Sequence, residues 1–149
     1  MTKKIFAVFL ITLGIIHSIQ TVLAEAADLE KLTEQAYNEL INSYSEGSDC
    51  IKVIRMGRWK DLSQNSLIIY APSKNRPYYV LLRAHSPDIS MMKTLNVRAG
   101  RTRFCGKSGD ELVIDGRRHK IQAIKALDRD TAKKLINFHK DKKRQSKQK

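Results

Sequence analysis

Glu111-Leu112-Val113-Ile114-Asp115-Gly116-Arg117-Arg118-His119-Lys120-Ile121-Gln122-Ala123-Ile124 carries the strongest structural signal in the chain. Two β-rich runs flank Asp115-Gly116, a pair suited to a two-residue hairpin turn because both positions need positive φ. In that register Glu111 lies across from Lys120, a favourable cross-strand charge pair. An antiparallel sheet is therefore expected around this hairpin.

Upstream, Gly106-Lys107-Ser108-Gly109-Asp110 reads as a turn, and the runs 94–97 and 102–105 flank Arg98-Ala99-Gly100-Arg101. Ser86-Pro87-Asp88 starts a helical turn through Met91 and Met92. Residues 66–71 and 77–83 form a second hairpin around the polar loop 72–76, and their continuous apolar content predicts burial on both faces. Residues 50–56 read as a strand that Gly57 breaks, with a short second piece from Trp59. Leu29, Leu32, Ala36, Leu40, Ile41 and Tyr44 recur at helical spacing before them, and Gly47 suits a C-terminal cap. The expected role of that helix is to pack Leu32, Ala36 and Leu40 on the following domain. Downstream, Asp128 or Asp130 caps a last helix with Ala132, Leu135, Ile136 and Phe138 on its buried side. Beyond His139 no apolar residue occurs, and a frayed or disordered tail is expected.

The fold class is α+β: a small curved antiparallel β-sheet of five to seven strands, or a partly closed barrel, lying between N- and C-terminal helices. The expected divisions are a signal peptide at 1–24, an acidic amphipathic helix at 25–47, a disulfide-stapled β-rich domain at 48–128, and a basic C-terminal helix and tail at 129–149.

The chain has 149 residues, 42% of them hydrophobic, and a formal charge of +13 at pH 7. That suits one compact domain and excludes a wholly disordered protein. Lys3 and Lys4 precede the apolar run 5–16, and Val22-Leu23-Ala24 before Glu25 fits a signal-peptidase cut after Ala24. The apolar run is short for a membrane span, and an uncleaved anchor is the competing reading. Export to the periplasm or medium is the expectation. The mature chain 25–149 carries +11, unevenly: residues 25–49 hold seven acids and one base, residues 50–149 hold 25 bases and eight acids.

Cys50 and Cys105 are the only cysteines. In an oxidising compartment their simplest fate is one disulfide, with free or catalytic thiols and intermolecular pairing as alternatives. There is no Cys-x-x-Cys motif to mark a redox site.

The order Cys50-Ile51, Trp59, Leu67-Ile68-Ile69, Tyr79-Val80-Leu81-Leu82, Arg103-Phe104-Cys105-Gly106, Gly109-Asp110 and Ile121-Gln122-Ala123-Ile124 resembles a family of small exported bacterial proteins of unknown function, over residues 48–127. The resemblance implies an exported, disulfide-stapled β-rich module and transfers no catalytic residue. Many members of that family have a further Cys-Pro near the middle. Here His85-Ser86-Pro87 stands without a cysteine.

No constellation of catalytic residues emerges. His85, His119 and His139 are widely spaced and read as surface or sheet-edge residues, so neither a metal nor another cofactor is expected. Ser108 lacks the glycine spacing of a phosphate-binding loop and the setting of a nucleophile elbow. Asp110 and Glu111 are adjacent, point to opposite faces of a strand, and make a poor acid–base pair.

Two basic clusters stand out: Arg98, Arg101, Arg103 and Lys107, then Arg117, Arg118 and Lys120. Arginine forks suit phosphate and carboxylate groups. The competing reading is a solvated face that answers the acidic helix. The expected function is a non-enzymatic accessory or binding module that holds an anionic protein surface, lipid headgroup or envelope polymer. The basic tail offers a peripheral membrane contact. The alternative is a thiol redox protein or small periplasmic enzyme using Cys50 and Cys105, and nucleic-acid binding ranks last because no readout motif supports it.

Overall fold

The computed structural model describes residues 32–52, 56–99, 102–106 and 109–148. The expected signal peptide, residues 25–31 of the acidic segment, Arg101, Lys107 and Ser108 lie outside the described residues. Residues 32–149 form one compact unit.

Eight short strands run between two helices in chain order: α1 (Glu34–Tyr44), β1 (Cys50–Lys52), β2 (Trp59–Asp61), β3 (Ser66–Tyr70), β4 (Pro77–Leu82), β5 (Leu95–Arg98), β6 (Arg103–Cys105), β7 (Glu111–Ile114), β8 (Arg117–Ala126) and α2 (Arg129–Ser146). A 3₁₀ turn, Pro87–Met91, joins β4 to β5. Six strands form a curled antiparallel sheet in the order β2-β3-β4-β8-β7-β5, a half-barrel, and β1 and β6 make a separate two-stranded ribbon. The α+β class therefore holds, with one strand more than the expected range.

The long strand β8 makes the curl. Its first half pairs with β7, placing Glu111 opposite Lys120, and its second half pairs with β4. The turn between β7 and β8 has Asp115 at φ 46° and Gly116 at φ 84°. Between these halves the β4–β8 register shifts: Leu81 faces Ala123, but Leu82 faces Ile121. Gln122 is thus the extra residue of a bulge, which bends the strand and re-phases its side chains. Ile121 and Ile124 consequently share the inner core, while Ala123 points to the other side.

Two apolar layers result. Inside the curl, Ile51 and Phe104 of the ribbon pack with Leu67, Val80, Leu112 and Ile114 of the sheet. Outside it, Ala132 and Leu135 of α2 and Leu40, Ile41 and Tyr44 of α1 pack with Ile68, Tyr79 and Ala123. The N- and C-terminal helices flank the sheet in chain order and both pack on its Ile68, Tyr79 and Ala123 side. Ring stacking of Tyr37 on Phe138, at 4.4 Å between centroids, joins the helices directly. Tyr37, rather than Ala36, joins Leu40, Ile41 and Tyr44 in the packed stripe of α1.

Two further expectations need correction. Gly47 is not a left-handed cap: it serves close approach, because a Cβ there would stand 2.5 Å from the Ile124 carbonyl oxygen. Its own carbonyl accepts from Ile124 N–H at 2.9 Å, and Ile124 O accepts from Asp49 N–H at 3.0 Å, so the segment before β1 docks on the free side of β8. The residues after His139 are not frayed but complete α2. Lys, Arg and Gln are good helix formers. Lys143 and Arg144 lie in the last turn, where they favour the negative end of the dipole, and Lys142 is ion-paired with Glu34 of α1.

Candidate anion-binding surface

The ribbon is built on the disulfide. Cys50 and Cys105 are register partners with Cα atoms 4.1 Å apart and are bonded to each other. Side chains alternate along a strand, so Ile51 and Phe104 enter the core while Lys52 and Arg103, also register partners, share the outward side with the disulfide. Both cations are exposed. Directly opposed residues place their Cβ atoms about 5 Å apart, and like charges in that position destabilise a pair of strands. Among the described residues neither cation has an ion-pair partner.

A second basic surface lies on the outer face of β5, β7 and β8, away from the elements the helices cover. Register places Arg98, Glu111 and Lys120 in one row and Asn96, Val113 and Arg118 in the next. Arg98, Arg118 and Lys120 are exposed. Strands lie about 4.8 Å apart, which puts Arg98 and Lys120 about 10 Å from each other with Glu111 between them. This carboxylate stands between the cations of the row, whereas on the ribbon Lys52 and Arg103 face each other directly.

The five of the seven expected anion-binding residues that are described therefore do not form one face. Arg98, Arg118 and Lys120 come together. Arg117, facing Ile114, lies on the opposite side of β8, and Arg103 is on the ribbon. Lys52 was missed by the sequence reading. Nothing marks it within residues 50–56, and it becomes significant only once the disulfide sets Arg103 across from it.

The other polar candidates have structural work. Asp110 Oδ2 accepts from Cys105 N–H at 3.0 Å, fastening the turn to the ribbon. Asp115 accepts from Thr94 N–H at 2.7 Å and from Lys93 N–H at 3.1 Å, and these bonds hold its carboxyl below its ordinary pKa. His119 faces Leu112 and has a buried Nε2 without a hydrogen-bond partner, and His139 is half-buried with Nε2 3.7 Å from Asp61 Oδ2. Neither is a simple surface histidine. Among the described residues no group of three His, Cys, Asp or Glu side chains could hold a metal ion, and no helix is long and apolar enough to cross a membrane.

A cleft of about 540 Å³ opens where α1, the turn between β2 and β3, the 3₁₀ turn and α2 meet. Its walls come from four separated segments, so no local spacing marks it in the sequence.

A curled sheet with a disulfide-bonded ribbon inside and two helices outside defines a small α+β module. Residues 1–145 match the family of unknown function DUF6491, and the chain belongs to that family. No curated protein and no solved structure matches the chain.

Proposed function

We propose that the protein is an exported, non-enzymatic binding module that holds an anionic partner, with the Lys52–Arg103 pair at the centre of the contact. One observation supports this most directly: two exposed cations face each other across the ribbon, and neither has an ion-pair partner among the described residues. An anionic group between them relieves their repulsion and gains charge-assisted hydrogen bonds from both. The disulfide beside them fixes their spacing before binding, which lowers the ordering cost. Arg98, Arg118 and Lys120 form a second contact area with the same preference. The partner's class is an acidic protein surface, a lipid headgroup or an envelope polymer, each consistent with export.

The test is crosslinking of the tagged mature protein in its native envelope, beside an Arg103→Glu variant. An acidic partner recovered with the parent and lost with the variant is the expected result. Equal recovery with both proteins contradicts the proposal.

Thiol–disulfide exchange is a second reading, favoured by the exposure of Cys50. Alkylation of the folded protein under mild reductant, read by intact mass, distinguishes the two. A staple stays unmodified until unfolding, whereas an exchange site is labelled at once.

A further inference from the structure

We infer that the cleft between the helices and the turns is a binding site for a small organic carboxylate with an apolar body. Its volume, about 540 Å³, lies within the range of small-molecule sites. Leu62, Pro87, Tyr37 and Phe138 give it apolar walls. The Tyr37–Phe138 stack and the buried Leu62 fix those walls within the helix–sheet layer, so the cavity is formed before any ligand arrives.

The polar groups in the cleft divide into two sets. Ser63 Oγ is bonded to Asn65 and Ser66, Lys142 is paired with Glu34, Asp61 lies beside His139, and Ser146 Oγ donates to the Lys143 carbonyl. These already have partners. The Gln64 amide, the Ser90 hydroxyl and the Lys143 ammonium line the same space, and none has a side-chain partner among the described residues. All three can donate to an anionic oxygen, and Lys143 supplies the charge. Among the described residues the only carboxylate lining the cleft is Asp61, which lies beside His139. A carboxylate head near Lys143 with a hydrocarbon body against Leu62 and Phe138 satisfies both the charge and the apolar wall. This site shares no residue with the Lys52–Arg103 contact, so either can fail without the other.

The probe is decanoate, with decanol as its uncharged counterpart, titrated into the disulfide-bonded mature protein by calorimetry and by amide NMR. Decanoate is expected to bind saturably, with shifts at Gln64, Ser90 and Lys143, and decanol about 10-fold more weakly. Lys143→Ala, at an exposed helix position, weakens decanoate about 10-fold while the protein stays folded. Ser90→Trp, on the exposed 3₁₀ turn, fills the opening and abolishes binding. Absence of saturable binding, equal binding of decanol, or a Ser90→Trp variant that folds and binds as the parent does would overturn the assignment.

Discussion

Tyr79 is fully buried beneath the helices, and its hydroxyl has only a weak interaction with the Ser66 side chain, which is itself engaged with Ser63. Burial pushes its pKa up to about 12. A buried hydroxyl without a hydrogen bond of full geometry costs more in desolvation than it returns, so Tyr79→Phe is expected to stabilise the protein by about 1 kcal/mol in chemical denaturation. A loss of stability would mean that the hydroxyl is satisfied in solution. His139 presents a second residue-scale case. Burial lowers its pKa below 6.5, outweighing the nearby Asp61 carboxylate, and Lys143 adds to the lowering. The fold thus favours the neutral ring. Its contribution to stability is full above pH 6.5 and is lost as pH falls through the depressed native value. The melting temperature should therefore fall between pH 7.5 and pH 5, and His139→Gln should flatten that slope. An unchanged slope in the variant would assign it to other groups.

At the scale of elements, the ribbon depends on covalent and steric conditions together. The disulfide spans a sequence separation of 55, for which chain entropy gives about 4 kcal/mol. A Cys50→Ala/Cys105→Ala variant is expected to lose stability of that order, measured as the shift in denaturation midpoint. Gly106 is as tightly placed as Gly47, since a Cβ on it would run into the Gly47 carbonyl and stand 2.7 Å from the Ile124 nitrogen. Those neighbours are backbone atoms that cannot turn away. Gly47→Ala or Gly106→Ala is therefore expected to cost about 2–3 kcal/mol. The β3–β4 and β7–β8 hairpins were legible because turn chemistry and adjacent runs specify them locally. The pairing of β6 with β1 was not, because the partners are distant in sequence and the cysteines alone link them. The bulge had one trace, the three-residue spacing of Ile121 and Ile124 where strict alternation would place them on opposite faces. Helical spacing identified the buried stripe of each helix, but it carries no information about which sheet face receives it, so the placement of both helices on one side could not be read. The helical tail escaped notice because periodicity reports apolar residues, and its last turns contain none.

For the whole molecule, charge is the dominant asymmetry, and it was visible in the sequence as acids before Cys50 and bases after it. Which bases act together was not, because strand register decides it: Glu111 falls between Arg98 and Lys120, whereas Lys52 and Arg103 are set directly across from each other. This separates binding from stability in a measurable way. Lys52→Glu turns a repulsive cross-strand pair into an attractive one and should stabilise the fold by about 0.2–1 kcal/mol. If the pair exists to receive an anion, the same change should remove binding. The most direct measurement compares the parent and Lys52→Glu for affinity to a soluble sulfated polysaccharide across a salt series, with melting temperatures recorded alongside. We predict a parent affinity that falls steeply with salt, and a variant that melts higher yet binds at least about 10-fold more weakly. A variant that melts higher and binds as tightly as the parent would contradict the central claim.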